Sequence, residues 1–421
     1  MSDERLWNPN YCKVMAANFM LFFAFYVLTP LLPLYLCEHF GATKDVAGLV
    51  LSGYTVTALL SRPFSGYLVD SFPRRRVLMV SFGAFAVFFA GYLAASSLLL
   101  FALVRTLHGG PFGALTVSNS TVAIDVLPSS RRTEGIGYYG LSNNLAMAVG
   151  PTVGIALYRL TGSFDLLFWL ALAVAFGGWA IDASVRLKAG VRPRKDDAGV
   201  RKLSLDRFFL VRGWLLGVNM VAFGFCFGVL SNYLAIYGKE QLGITGGTGA
   251  YFMICAAGLM LSRLQGARAL RRGLLTHNAA QGMVISLVGY TLFTAMPTLS
   301  QTSFLISHSS FLVPRSSSLV LIGYYGSAIL IGLGNGHMWP AFQNMMICMA
   351  RHNERGTANS TILVAWDVGM GLGILLGGVI AELLGYSAAF WTVAVVNLVG
   401  VVLYFLRTDR FFTARQLPAE P

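Results

Sequence analysis

Apolar runs of about twenty residues alternate with short polar turns along almost the whole 421-residue chain. That is the length a helix needs to cross the hydrocarbon core of a bilayer. Inside hydrocarbon only helices and closed barrels satisfy their own backbone groups. The runs predict twelve helical spans, at about 13–36, 45–66, 77–97, 99–127, 133–158, 165–187, 209–236, 247–266, 278–297, 319–347, 355–383 and 385–406. Prolines inside them (Pro30, Pro33, Pro111, Pro151 and Pro340) point to kinks or close helix contacts rather than ends. The stretch 298–318 fits less well. It mixes serines with an apolar middle and reads as an outer connection, either a mobile loop or a cap on the surface.

Composition agrees with the pattern. Hydrophobic residues make up 56% of the chain and charged residues 12%, against about 25% charged in soluble domains. The net charge of +13 would suit a nucleic-acid binder, but the basic residues lie between spans, where they act as topology signals. With the hairpin at 67–76 inside, Arg74–Arg76, Arg131, Arg132, Arg351, Arg355 and the basic stretch from Arg186 to Arg212 all fall inside. Only Lys44, Arg159, Lys239 and Arg315 fall outside, so both termini are expected in the cytoplasm. Five cysteines are scattered through apolar sequence, with neither metal-ligand spacing nor a disulfide framework. No metal and no cofactor is expected. The N-terminal stretch has no cleavable-signal pattern, which with the short loops suggests a bacterial inner membrane.

The longest strongly charged linker, Arg186–Arg212, separates two groups of six spans. The halves echo each other weakly: SRPFSG near Ser61 returns as SRLQG near Ser262, and RRTEG at Arg131 returns as NERG at Asn353. The expected division is an N-terminal bundle over 1–187, a cytoplasmic linker over 188–208 and a C-terminal bundle over 209–421. The expected fold is therefore all-α, with twelve transmembrane helices in two pseudo-symmetric six-helix bundles.

Three motifs strengthen this. The hairpin carries Gly66, Asp70, Pro73, Arg74 and Arg75; the fourth span carries Arg105-x-x-His108-Gly109; the fifth carries Gly150-Pro151-x-x-Gly154. Together with the two halves they resemble the major facilitator superfamily over nearly all of 13–406. The fifth-span motif is similar to that of its drug and metabolite:proton antiporters. The chain departs from the family pattern at Pro73, where glycine is usual, at His108, where glutamine is usual, and at Ile155, where a second glycine often sits. The resemblance implies that Asp70 meets the start of the eleventh span around Arg355–Thr357. There the free N–H groups of a helix N-terminus favour a carboxylate.

Charged and polar groups inside spans are the other candidates, since hydrocarbon tolerates them only against a partner or a cavity. Asp367 lies about 18 Å into the eleventh span at 1.5 Å per residue and is the first candidate for carrying a proton. Structural hydrogen bonding and binding of a cationic substrate are the alternatives. Arg105 cannot deprotonate, so it would tune an acid, hold an anion or form a structural pair. His108 follows one turn later and either titrates or packs. Asn335 and His337 suit a cavity or a helix–helix hydrogen bond. Trp339, Tyr26, Phe22 and Phe223 could form an apolar wall. Asp125, Asp182, Glu134 and Glu354 suit caps or inner-edge ion pairs with Arg131, Arg132, Arg351 or Arg355. The glycine runs at 332–336 and 369–373 lack the Lys-Ser/Thr of a phosphate loop and suit close helix packing.

The sequence therefore points away from an enzyme. It suggests a monomeric secondary transporter embedded in lipid, exporting a small amphipathic or organic compound in exchange for protons. A proton-driven importer or facilitator of a sugar or organic acid is the second reading. A ligand sensor or lipid-handling protein on the same scaffold is the third.

Overall fold

A computed structural model describes residues 5–29, 31–42, 44–187, 208–244, 248–307 and 316–417. The described residues are helices and their connections: α1 (Pro9–Tyr26), α2 (Leu32–Phe40), α3 (Lys44–Ser71), α4 (Arg74–Ala94), α5 (Leu98–Asp125), α6 (Arg132–Thr161), α7 (Phe164–Ala183), α8 (Trp214–Leu242), α9 (Thr248–Arg271), α10 (Leu275–Ser307), α11 (Ser316–Cys348), α12 (Arg355–Leu403) and α13 (Asp409–Arg415). Among the described residues six helical stretches are long and apolar enough to cross a membrane: Arg74–Ala94, Leu98–Asp125, Phe164–Ala183, Val211–Leu234, Leu275–Pro297 and Arg355–Arg415. Many of their large apolar side chains face outward, among them Val80, Leu99, Trp169, Val288, Leu375 and Leu383, while Asn119, Asn219, Asn278 and Asn397 are buried. Apolar outside and amides inside is the arrangement lipid selects.

Two expectations change. The first span, expected over 13–36 with kinks or close contacts rather than ends at Pro30 and Pro33, divides: α1 ends at Tyr26 and α2 starts at Leu32. Pro33 lies in the first turn of α2, where the N–H that proline lacks would have no intrahelical acceptor, so it suits a helix start. The outer connection expected over 298–318 is largely helical, because α10 continues to Ser307 and α11 begins at Ser316. Only 308–315 between them lies outside the described residues, as does most of the expected linker at 188–208. The boundary expected between the spans 355–383 and 385–406 is present: two helices meet within α12 at Gly385, whose φ of 87° and ψ of 161° only glycine adopts readily.

The chain divides into two compact units. The first comprises Met1–Arg212, Ile347–Val364 and Leu417–Pro421, and the second Gly213–Met346 and Ala365–Gln416. In the first, α1 packs on α6 and α7, α3 on α5, and α4 on α5 and α7. Its core is rich in rings: Phe82, Phe85, Phe89, Tyr92, Phe101 and Phe168 are fully buried. The segment 347–364 belongs to this unit and is fixed there by Ile347 against Ile124 and Ile136, and by the Ser360 hydroxyl donating to the Arg62 carbonyl at 2.6 Å. In the second unit, Tyr237, Tyr251, Phe293, Tyr324 and Phe390 form the corresponding core. There α8 lies against α12, and α11 against α9 and α10, at glycines where a Cβ would collide with the facing backbone.

Candidate functional site

The most heavily bonded place in the first unit is the hairpin between α3 and α4. Asp70 lies beyond the apolar part of α3 and faces the N-terminus of α12. Its carboxylate accepts the Gly356 N–H at 2.9 Å, the Thr357 N–H at 2.8 Å and the Thr357 hydroxyl at 2.8 Å. The first turn of a helix has N–H groups with no intrahelical acceptor, and a carboxylate satisfies them while opposing the helix dipole. Gly66, one turn earlier, permits the approach: a Cβ there would fall 2.8 Å from the Ser360 Cβ and 3.0 Å from the Gly356 oxygen. Burial pushes the Asp70 carboxyl up to about 6, against the pull of the Thr357 and Gly356 N–H groups, the Thr357 hydroxyl and Arg74.

A second carboxylate completes the clasp. Asp125, at the end of α5, accepts a hydrogen bond from Arg74 and lies 3.7 Å from the Arg355 guanidinium. Arg74 also lies 3.7 Å from Asp70. Arg74 and Arg355 are 4% and 6% exposed, so solvent screens these charges little. Arg75 turns the other way and donates to the carbonyls of Ala183 and Val185 at the end of α7. Those carbonyls are the unpaired acceptors of a helix C-terminus. Glu134 pairs with Arg131 at 2.8 Å, and Glu354 pairs with Arg212.

Arg105 is enclosed in a different setting. Its Nη1 donates to the Tyr92 hydroxyl at 3.0 Å, and its guanidinium lies 4.1 Å from the centre of the Tyr54 ring. The rings of Phe25 and Tyr92 are 5.9 and 6.0 Å away. Among the described residues no carboxylate pairs with it, and neither its Nε nor the Tyr54 hydroxyl has a hydrogen-bond partner. Cation–π contact recovers about 2 kcal/mol in a desolvated site. Burying an unpaired ion costs several. The rings therefore offset part of the cost and leave the positive charge incompletely compensated.

The same hydroxyl orders His108. Tyr92 Oη lies 2.7 Å from His108 Nδ1. Since Arg105 can only donate, Tyr92 accepts from it, and the Tyr92 hydroxyl and His108 Nδ1 share a second bond. The imidazole stacks on Phe88 and is walled by Tyr54, Phe85 and Phe89. Phe25 and Phe112 continue this ring cluster to Phe22 and Tyr26. Gly150 and Gly154 of α6 press on the backbone of Tyr26 and Val27, and Pro151 lies between them. Sequence reasoning did not single out Tyr92, Tyr54 or Phe25, because aromatic residues in apolar helices carry no distinguishing signal.

In the second unit, Asp367 is half-buried on α12 beside Trp366, whose ring meets Trp339 edge-on at 5.0 Å and Phe227 at 5.6 Å. His337 Nδ1 lies 2.9 Å from Asn278 Oδ1, and the Asn278 amide donates to the His337 carbonyl at 3.0 Å, tying α10 to α11. Asn335 is buried nearby on α11, and Phe223 is buried against Phe342. Asp182, expected in a helix cap or an inner-edge ion pair, is enclosed in the first unit with no hydrogen-bond partner for either oxygen.

The model of the protein family described as Major Facilitator Superfamily matches residues 14–326 and 279–421. The staphylopine export protein of Staphylococcus aureus strain Mu50 is 22% identical over 404 residues, covering 94% of this chain and 96% of that protein. Among solved structures, the human organic anion transporter MFSD10 superposes with a TM-score of 0.69 at 17% identity, covering 94% of this chain and 100% of that one. A bacterial homologue of the iron transporter ferroportin superposes with a TM-score of 0.75 at 12% identity, covering 96% and 100%. At these identities the two structures establish the shared fold.

Proposed function

The chain belongs to the Major Facilitator Superfamily, and we propose that within it the protein exports a small amphipathic or organic compound from a bacterial cytoplasm in exchange for protons. The family's members are carriers rather than enzymes, and the chain is an integral membrane protein that moves a small molecule by secondary transport. The proposed architecture is twelve spans in two six-helix bundles, with both termini cytoplasmic. The full-length likeness to the staphylopine export protein supports outward flux.

The observation that carries the reading is the clasp of Asp70 on Gly356 and Thr357. A carrier cycles between states, and this contact is built to be made and broken. Its bonds are few and charge-assisted, they converge on one carboxylate, and they lie at the end of a helix rather than along its length. In the proposed cycle, making the clasp holds segment 347–364 against α3 and α5, and breaking it frees the start of α12. Asp367 is the proposed proton carrier on that helix. Arg105 and His108 set the electrostatics of the first unit. Tyr26, Phe22, Trp339, Asn335 and His337 are proposed to face substrate.

Purified protein in proteoliposomes with an imposed pH gradient and a pH-sensitive dye inside tests this. A panel of organic cations, organic anions and sugars is added one at a time, to wild type and Asp367→Asn. Substrate-dependent proton movement lost in Asp367→Asn is the expected result. Proton movement unchanged in the variant removes Asp367 from the role. Substrate flux without any proton movement replaces exchange with facilitated transport.

A further inference from the structure

We propose that the aromatic box around Arg105 is an anion subsite and that the transported compound is an organic anion, bound by its carboxylate at Arg105 and Tyr54. This rests on the transporter reading and names the substrate class for it.

The argument starts from what Arg105 lacks. A guanidinium presents five donors in a fixed fork. One of them meets the Tyr92 hydroxyl, and Nε meets nothing. The Tyr54 hydroxyl, whose ring stacks under the guanidinium at 4.1 Å, is likewise buried without a partner. Arg105 is 5% exposed and Tyr54 3% exposed, so both are withdrawn from bulk solvent in this state. A planar cation and a neighbouring hydroxyl, both short of an acceptor, form the donor set that a carboxylate fits, since its two oxygens can take a guanidinium edge and a hydroxyl together.

The surroundings set the rest of the ligand. The box is walled by Phe25, Tyr54 and Tyr92, and runs through Phe112 to Phe22 and Tyr26. These rings present apolar faces beside the guanidinium and give no second charge to pair with, which suits a ligand with an apolar body next to its carboxylate. Elsewhere in the unit the buried arginines at the hairpin already have carboxylate partners. Among the described residues Arg105 has no carboxylate partner, which suits one that arrives and leaves.

The test uses the full-length protein in lipid nanodiscs. Benzoate, phenylacetate and indole-3-acetate are each compared with the uncharged primary amide, with the rise in Tm giving affinity. Chloride is titrated separately. The expected result is stabilisation by the carboxylates and not by the amides. Arg105→Gln should weaken carboxylate binding by about tenfold or more, Arg105→Lys by less, and Tyr54→Phe by about two- to tenfold. Tyr54→Phe keeps the ring, so it reports on the subsite even if Arg105→Gln fails to fold. Equal effects of carboxylates and amides, no anion-dependent shift across the panel, or carboxylate binding unchanged in Tyr54→Phe and Arg105→Lys would overturn the proposal. Stabilisation by chloride alone would overturn the organic-anion assignment. The proteoliposome assay separates the two readings. Carboxylate binding without substrate-driven proton movement removes proton-coupled export and leaves the subsite. Proton-coupled flux of the amides alone removes the subsite and leaves export.

Discussion

At the hairpin, Arg74 meets Asp125 and Asp70, and Asp125 reaches on to Arg355, so buried charges of both signs sit side by side. Two turns into α5, Arg105 is as deeply enclosed and meets three ring faces and one hydroxyl. The two places belong to the same unit and face the same penalty for taking charge out of water. They answer it differently. The hairpin supplies its counter-charges from its own chain. The Arg105 box softens its charge with quadrupoles and stops short of neutralising it. A network with both signs of charge holds a conformation, while a cation among rings has capacity for an anionic partner.

Breaking the hairpin network should have the largest effect. Asp125→Ala removes the carboxylate that Arg74 bonds and that lies 3.7 Å from Arg355, both of them buried, and removing one member of such a set costs about 3–5 kcal/mol. Thermal unfolding of the purified variant measures it. A loss below about 1 kcal/mol would mean that water or lipid headgroups already compensate these arginines. Gly66→Ala acts on the same clasp through shape alone. The new methyl meets Ser360 and the Gly356 carbonyl, and overpacking of this kind costs about 1–3 kcal/mol. Its distinguishing sign is increased maleimide labelling of Ala358→Cys in a chain whose native cysteines are replaced, because Ala358 is buried in the clasped segment.

Proton binding at Asp70 sharpens the comparison next. Docked on α12, its carboxyl titrates at about 6, raised from 3.8 mainly by burial. The docked state therefore binds a proton more tightly than a released, hydrated Asp70, and acid favours docking. The stabilisation is absent above the docked value and grows as pH falls from about 6 toward 4. Between pH 7.5 and 5 it amounts to about tenfold, or ~1.4 kcal/mol. Labelling of Ala358→Cys, expressed at each pH relative to the same protein carrying Asp70→Asn, should fall about tenfold over that interval. The ratio cancels the pH dependence of thiol chemistry. A ratio that stays flat, or rises in acid, would show that the hydrogen bonds from Gly356 and Thr357 outweigh burial.

What could be read beforehand follows the range of the signal. Hydropathy is local, so it marked the apolar helices and the hairpin between α3 and α4, and it missed the break at Tyr26–Leu32 because Val27, Leu28 and Leu31 keep the apolar run going. The meeting of Asp70 with Gly356 and Thr357 spans 286 residues, and no local pattern encodes it. It was legible through family resemblance alone. Asp125 was expected to cap a helix or to pair with Arg131, Arg132, Arg351 or Arg355. The structure pairs it with Arg355 and with Arg74, which had been read mainly as a topology signal and also as a part of the gate. The aromatic box was invisible for a simpler reason. Tyr54 and Tyr92 sit in apolar helices among many other rings, and their hydroxyls matter only because folding brings both to one guanidinium.

The smallest expected change lies at Arg105, and its smallness is the point. Arg105→Met removes a charge that the fold leaves partly uncompensated, keeps much of the side-chain volume, and leaves Tyr92 still bonded to His108. The lost hydrogen bond and cation–π contacts cost about 2–3 kcal/mol together. Relief of the buried charge returns a comparable amount, since replacing buried ionic groups with apolar ones of similar volume is often neutral or stabilising. The net change in unfolding free energy should stay below about 1 kcal/mol, against the several lost in Asp125→Ala. A loss near that of Asp125→Ala would make Arg105 a structural member of its cluster, equivalent to Arg74. A change near zero makes it a charge kept for something other than stability.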